Sequence, residues 1–167
     1  MVQYFRLFVL TTILSLIFSP LAAQDYDKGY QYYEAGNYEA AFKEWKPLAD
    51  QGGVNAQAAL GDLYTNGWGI PQDYSEAFKW YRSAAEQGHE QAIINVAVLY
   101  YTGRGVKEDP IHAYMWAKIG VALGSDTAKK LSSMISENLD PEQTQKGLQL
   151  VTNFLAGKCQ ESEASLC

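Results

Sequence analysis

The chain has 167 residues, 19 of them acidic and 13 basic, so its formal net charge at pH 7 is −6. This length allows one modest domain. Nucleic acid is a poor partner for such a chain, because phosphate binding needs clustered lysine and arginine and the sequence has no basic cluster. An anionic membrane surface is disfavoured for the same reason.

The first 23 residues have the layout of a secretory signal peptide. Arg6 precedes an apolar run over residues 7–18, and the small residues Ala22 and Ala23 follow. A membrane anchor is the alternative, but the run of about 12 residues is shorter than the roughly 20 that a bilayer requires. We therefore expect cleavage after Ala23, a periplasmic or secreted protein, and no stable membrane insertion after cleavage.

Part of the chain repeats itself with a period of 36 residues. Residues 56–88 align with residues 92–124. The matched positions include Leu63-Tyr64 with Leu99-Tyr100, Gly67 with Gly103, Asp73 with Asp109, Ala77 with Ala113, Trp80 with Trp116, and Gly88 with Gly124. A weaker copy, whose turn is five residues shorter, precedes them. The period predicts three stacked units at residues 24–55, 56–91 and 92–124.

Each unit is predicted to be a helix, a glycine turn and a second, antiparallel helix. In the second unit, small and apolar residues recur at helical spacing, namely Ala56, Leu60, Leu63 and Tyr64. Gly67 is expected to end the first helix in a left-handed conformation. Asp73 and Asp109 stand where N-caps are needed, and Pro110 occupies a first helical position. Gly88 is expected to close the second helix.

These residues resemble the Sel1-like repeat family, a relative of the tetratricopeptide repeats. The second unit carries the family pattern at Ala56, Leu60-Gly61, Tyr64, Gly67, Gly69-Ile70, Asp73, Ala77, Trp80-Tyr81, Ala84-Ala85 and Gly88. The third unit departs from it at Ala97, Ala117 and Gly120. The resemblance covers roughly residues 25–125. It implies an all-α fold, a short right-handed α-solenoid of antiparallel helix pairs.

The period stops after the third unit. Residues 125–156 read as two further helices, which we expect to cap the exposed end of the stack. Residues 157–167 are expected to form a tail that carries Cys159 and Cys167. Similar tails occur in exported members of the family. An even cysteine count in an exported chain favours a disulfide between these two residues, with two free thiols as the alternative.

No motif in the sequence predicts an enzyme, a cofactor site or a metal site. HExxH, Gly-x-Ser-x-Gly and phosphate-loop patterns are absent. His89 is interpreted as a solvated turn residue and His112 as a surface position. The paired glycines around Trp68 and Arg104 superficially resemble nucleotide loops, but they follow helices rather than strands. The sequence therefore favours a protein that binds rather than catalyses.

Repeat stacks bind on their concave side, which the first helix of each unit lines. Positions that the repeat pattern leaves free on these helices are candidate contacts: Tyr26, Tyr30, Asp62, Asn66, Asn95, Val98 and Tyr101, with Glu34, Gln57, Thr65 and Ile94 beside them. Trp68 occupies a free slot in a glycine turn and is a candidate exposed anchor. Tyrosine suits recognition because it joins an apolar face to a hydroxyl. For Tyr26 and Tyr101, packing remains an equal alternative.

The resemblance implies an exported adaptor or regulator in the bacterial cell envelope, monomeric and bound to an unidentified protein partner. One alternative is an immunity protein that neutralises a toxin in the periplasm. Another is an enzyme or binder that acts on cell-wall fragments, since some cysteine-rich relatives bind such molecules. A third is a structural envelope component without a specific partner.

Overall fold

The computed structural model describes residues 21–161, with side chains for residues 26–157. Within this range the chain forms eight α-helices and no strand. The helices are α1 (Leu21–Glu34), α2 (Tyr38–Asp50), α3 (Val54–Asn66), α4 (Tyr74–Glu86), α5 (Glu90–Thr102), α6 (Pro110–Ala122), α7 (Asp126–Ser136) and α8 (Pro141–Glu161). The predicted all-α fold is confirmed. Residues 1–20 of the predicted signal peptide and the predicted disulfide lie outside the described residues, whereas Leu21–Ala23, the last three residues of the predicted signal peptide, are the first residues of α1.

The first six helices form three helix pairs in chain order. Helix α1 packs against α2, α3 against α4, and α5 against α6, and each pair packs against the next through α2 with α3 and α4 with α5. Contacts therefore run mainly between neighbours in the sequence. This is the packing expected of an α-solenoid, in which each unit buries its apolar face against the adjacent one.

The predicted turn chemistry is confirmed at each helix end. Gly67 adopts a φ of 70°, and its N–H donates to the Leu63 carbonyl. The carboxylates of Asp73 and Asp109 each accept from two backbone N–H groups in the first turns of α4 and α6. Gly88, with a φ of 89°, directly follows the last turn of α4. These contacts satisfy backbone groups that the helix itself leaves unpaired.

A glycine facing an aromatic ring closes each of the first two helix pairs. A Cβ on Gly29 of α1 would lie 2.3 Å from Trp45 Nε1 on α2. A Cβ on Gly61 of α3 would lie 2.4 Å from the Tyr81 ring on α4. Both rings are buried, with 2% and 3% of their surfaces exposed. The absence of a side chain on the first helix therefore allows a large ring on the second.

The last two helices cover the third pair. Both α7 and α8 pack against α6, and α7 also touches α5. Gly147 lets α8 approach the Tyr114 ring, since a Cβ there would lie 2.7 Å from it. The Phe154 ring meets Trp116 edge-on at 5.2 Å between centroids. Helix α8 ends at Glu161, four residues beyond Gly157, where the sequence analysis began the tail.

Candidate partner-binding surface

The first helices of the units lie on the inner side of the stack. Helix α5 contacts both α3 and α7, whereas the second helices α2, α4 and α6 stand further apart from one another. A stack whose elements approach more closely on one side curves toward that side. The face formed by α1, α3 and α5, here called the inner face, is therefore the concave one, as the sequence analysis expected.

A pocket of about 240 Å³ opens on the inner face between α1 and α3. Tyr26, Tyr30 and Tyr33 of α1 form one wall, and Asp62 of α3 lies opposite them. Ala58, Ala59, Asn55, Trp45 and His89 complete the lining. We call this cavity the inner-face pocket. Three of the residues predicted to contact a partner, Tyr26, Tyr30 and Asp62, meet in it.

Asp62 is held by a hydrogen-bond network that reaches into the core. The Tyr81 hydroxyl of α4 donates to Asp62 Oδ1 at 2.6 Å, and Thr65 Oγ1 donates to the same hydroxyl at 3.2 Å. Burial, the charge of Asp62 and its hydrogen bond all raise the pKa of Tyr81, while Thr65 and the nearby Asn95 on α5 lower it in part. The two hydrogen bonds thus link α3 and α4 through one buried phenol.

Burial raises the pKa of Asp62 above its ordinary value. The hydrogen bond from Tyr81 and the electrostatic effect of His89 offset only part of this rise. Burial also raises the pKa of Tyr26 and of Tyr33, and the negative charge of Asp62 adds to both shifts. The surroundings of Asp62 therefore disfavour its negative charge, and that charge in turn disfavours ionisation of Tyr26 and Tyr33.

Sequence reasoning gave His89 and Tyr81 no part in the binding surface. The structure places His89 at the N-cap of α5, where its Nδ1 accepts from the Ala92 N–H at 3.2 Å, and also at the edge of the inner-face pocket. The sequence analysis identified Tyr81 only as part of the aromatic pair of the repeat pattern. Tyr81 and Asp62 are 19 residues apart in the sequence. The polar role of Tyr81 is therefore visible only in the folded protein, where its hydroxyl meets the carboxylate.

Asn66, the last residue of α3, and Trp68, in the turn that follows, do not line the inner-face pocket. Asn66 donates through Nδ2 to the Asp62 carbonyl at 2.8 Å, which satisfies the end of its own helix. Trp68 is 36% exposed and stacks on Tyr38 at 5.1 Å between centroids. The Trp68 ring also contacts the Tyr33 ring, with 5.8 Å between centroids. Tyr33 therefore contacts the turn and also lines the inner-face pocket.

The remaining candidates occupy the far end of the inner face. Val98 is 38% exposed on α5. The hydroxyl of Tyr101 accepts from Asn138 Nδ2 at 3.2 Å, which ties this tyrosine to the cap. Two neighbouring positions were expected to be free and are not, since Gln57 is 6% exposed and Ile94 is 7% exposed. Gln57 instead bridges units, donating to the Ala49 carbonyl and accepting from Gln87.

Asp109 and His112 form a close carboxylate–imidazole contact, with Oδ2 and Nδ1 2.7 Å apart. Burial would raise the pKa of Asp109, but hydrogen bonds from His112 and Ile111 outweigh it and the pKa is lowered. The same carboxylate caps α6, and the imidazole stacks on Tyr100 at 5.3 Å. The pair thus has a structural task at a helix end.

Across residues 21–161 no three His, Cys, Asp or Glu side chains are grouped as a metal site would require. Over the same stretch no helix is both long and apolar enough to cross a membrane.

The fold and the concave surface define an α-solenoid repeat protein. The Sel1 repeat matches residues 21–36, 54–89 and 90–125, and the chain belongs to the Sel1 repeat family. This confirms the resemblance read from the sequence. Proteins of this repeat class present concave surfaces that bind other proteins, and the fold is typical of non-enzymatic scaffolds.

Two solved structures are similar to this chain. One is a protective antigen of uropathogenic Escherichia coli strains that displays an SLR fold, with 23% identity and a TM-score of 0.77 over 87% of this chain. The alignment spans 34% of that antigen, about a third of its length. The other is a Sel1 repeat protein from Oxalobacter formigenes, with 28% identity, a TM-score of 0.63, and coverage of 74% of this chain and 96% of that one. No curated protein matches the sequence.

Proposed function

We propose that this protein is an exported adaptor or regulator of the bacterial cell envelope that binds a protein partner on its inner face. The observation that carries the proposal is the inner-face pocket, in which Tyr26, Tyr30 and Asp62 come together on the concave side of a repeat stack. A carboxylate beside tyrosine rings suits selective recognition better than packing, because desolvation of a carboxylate is costly.

Affinity capture with the full-length protein tests the binding surface. The test variant combines Tyr30→Ala, Asp62→Asn and Val98→Ala, three changes at inner-face positions that leave the core intact. The matched control combines Glu39→Ala, Lys43→Ala and Lys79→Ala, three exposed positions on the second helices. We expect envelope extract to yield a partner with the wild type and the control, and a loss of at least tenfold with the test variant. Equal capture by all three proteins contradicts an inner-face site.

Export is tested separately, by fractionation and N-terminal sequencing. The order of Arg6, the apolar run and the small residues before Gln24 supports cleavage after Ala23. We expect the protein outside the cytoplasm, with Gln24 as its first residue. A cytoplasmic protein that retains Met1 contradicts export. Labelling of free thiols in the exported protein contradicts the disulfide between Cys159 and Cys167.

A further inference from the structure

The carboxylate of Asp62 has room for one more strong partner. One of its oxygens accepts from the Tyr81 hydroxyl at 2.6 Å. Among the side chains of residues 26–157, no lysine or arginine forms an ion pair with it. Half-buried charges in proteins are normally paired or hydrogen-bonded on each side, because desolvation disfavours them otherwise. The carboxylate therefore retains acceptor capacity, and its charge favours a cation in the pocket that it lines.

The wall opposite Asp62 is made of tyrosine rings. Tyr26, Tyr30 and Tyr33 follow each other at four- and three-residue spacing, so they share one face of α1. The rings of Tyr30 and Tyr33 lie 6.3 Å apart at an interplanar angle of 18°, and both residues line the pocket. Aromatic faces attract cations through the quadrupole of the ring.

Two of the residues that line the pocket have small apolar side chains. Ala58 and Ala59 stand one helical turn before Asp62 on α3 and take part in the lining. They leave space in front of the carboxylate that a larger side chain would fill. A volume of about 240 Å³ is smaller than the roughly 300–1,000 Å³ of pockets for drug-sized ligands. The space fits a single side chain of a partner rather than a large molecule.

We propose that the inner-face pocket binds an arginine side chain of a partner protein, with its guanidinium between Asp62 and the tyrosine wall. A guanidinium is planar and weakly hydrated, so it can stack on a tyrosine and donate to a carboxylate at the same time. An ammonium is compact and strongly hydrated, and it gains less from the flat wall. An anion would meet Asp62, and an apolar group would leave the carboxylate desolvated and unpaired. This assignment rests on the proposed function of the inner face.

The test is a titration of the full-length protein with three short peptides, followed by NMR of the tyrosine rings. The probes are acetyl-Gly-Arg-Gly-amide, its lysine analogue and its citrulline analogue, which has the shape of arginine without the charge. We expect the arginine peptide to bind at least tenfold more tightly than the citrulline peptide and several-fold more tightly than the lysine peptide. Equal binding of arginine and citrulline, or of arginine and lysine, overturns the assignment.

Two variants and one control locate the binding. Asp62→Asn keeps an oxygen for the Tyr81 hydroxyl but removes the charge, and should abolish the preference for arginine over citrulline. Tyr30→Leu removes a ring that is 47% exposed, so the fold should persist while the arginine peptide binds several-fold more weakly. Glu137→Gln, an exposed carboxyl at the end of α7, should leave the titration unchanged. Unchanged arginine binding in Asp62→Asn overturns the proposal.

The peptide titration and the affinity capture test two different proposals, and each proposal can be contradicted without the other. The titration reports only on the inner-face pocket, whereas the capture reports on the whole inner face. Selective binding of the arginine peptide without any captured partner supports the pocket and contradicts the proposed function. A captured partner whose binding is unaffected by Asp62→Asn alone overturns the arginine site and leaves the proposed function standing.

Discussion

At the scale of single residues, Asp62 combines two opposing effects. The Tyr81 hydroxyl stabilises its charge through a short hydrogen bond, while burial among tyrosine rings destabilises that charge. Burial dominates, so the pKa of Asp62 is raised in the folded protein. Between the ordinary pKa of an aspartate and this raised value, the folded state binds more protons than the unfolded state. Stability consequently falls as the pH rises through that window.

The first prediction follows from the direction of the pKa shift of Asp62. Asp62→Asn should be more stable than the wild type at pH 7, because the amide has no charge to desolvate. The difference should shrink as the pH falls toward the ordinary pKa of aspartate, where the wild-type carboxyl is also neutral. Urea unfolding of both proteins at pH 7 and pH 4 measures it. Glu137→Gln provides the matched control, and a wild type more stable than Asp62→Asn at pH 7 would contradict the argument.

Gly29 provides a second prediction at this scale. A methyl group there would overlap the Trp45 ring, whose Nε1 would lie 2.3 Å from the new Cβ and which donates to the Tyr26 carbonyl at 3.1 Å. Overpacking of a filled core costs about 1–3 kcal/mol. This exceeds the roughly 0.5–1 kcal/mol by which alanine stabilises a helix relative to glycine. Gly29→Ala should therefore destabilise the protein in a thermal melt.

Gly157→Ala is the matched control for that change. Gly157 also lies in a helix, but nothing stands within 4 Å of the position of a new Cβ. Alanine should stabilise α8 there or leave it unchanged, because only the propensity term remains. Equal effects of the two substitutions on the melting temperature would show that the close contact with Trp45 has no energetic weight.

At the scale of elements, the glycine turns connect units as well as helices. A Cβ on Gly69 would lie 2.4 Å from the backbone nitrogen of Glu39, in the first turn of α2 in the preceding unit. Gly105 approaches the start of α4 in the same way. The residue between the glycines packs beside this contact, as Trp68 does on Tyr38. In the next unit Arg104 lies over the Tyr74 ring at 5.5 Å.

The N-cap of α4 gives a prediction for an element. Asp73 accepts hydrogen bonds from the backbone N–H groups of Ser75 and Glu76, at 2.8 and 3.0 Å. Loss of such a cap typically costs about 1 kcal/mol. Asp73→Ala should lower the free energy of unfolding by about that amount in a urea titration. Asp50→Ala is the control, because its exposed pair with Lys46 near the end of α2 should contribute little, and an equal loss would refute the cap.

Comparison with the second unit explains two departures of the third unit from the family pattern. Gly61 and Tyr81 form a close glycine–ring pair in the second unit. The equivalent positions, 36 residues later, are Ala97 and Ala117, and both are fully buried. In the third unit the methyl group of Ala97 on α5 is accommodated, because Ala117 on α6 stands where the second unit has the Tyr81 ring. The two departures are one change in packing, so they do not weaken the unit.

At the scale of the whole molecule, the apolar interior forms two clusters. One lies in the first two units around Trp45, Leu60 and Leu63, and the other extends from the second unit to the cap. In a repeat stack each unit is stabilised mainly by itself and its neighbours. A defect at one end should therefore remain local.

Trp45→Ala tests this locality. Truncation of a buried tryptophan typically costs about 3–5 kcal/mol. Hydrogen exchange followed by mass spectrometry should show faster exchange in α1 and α2, while α6, α7 and α8 keep their protection. Trp116→Ala is the reciprocal variant, with the loss expected in α6, α7 and α8. Equal loss of protection in all helices of either variant would contradict a stack with nearest-neighbour coupling and indicate a single cooperative unit.

The sequence by itself determined the helix pairs and the chemistry of the turns. The local signals are a period of 36 residues, a glycine after each first helix, and an aspartate before the second helix of the second and third units. Such signals act directly on backbone conformation at helix ends. The sequence also placed Tyr26 and Tyr30 together on one face of α1, because helical spacing fixes which residues share a side. These inferences needed no knowledge of how distant units meet.

Only the tertiary structure decided which of these residues form a site. Asp62 meets Tyr81 and His89 because α3 packs between α2 and α4 and also touches α5, and no spacing in the chain encodes that distance. Packing also removed Gln57 from the free surface and put Trp68 on Tyr38. Burial and electrostatic interaction depend on separation in space, so the pocket follows from the stacking of the helices.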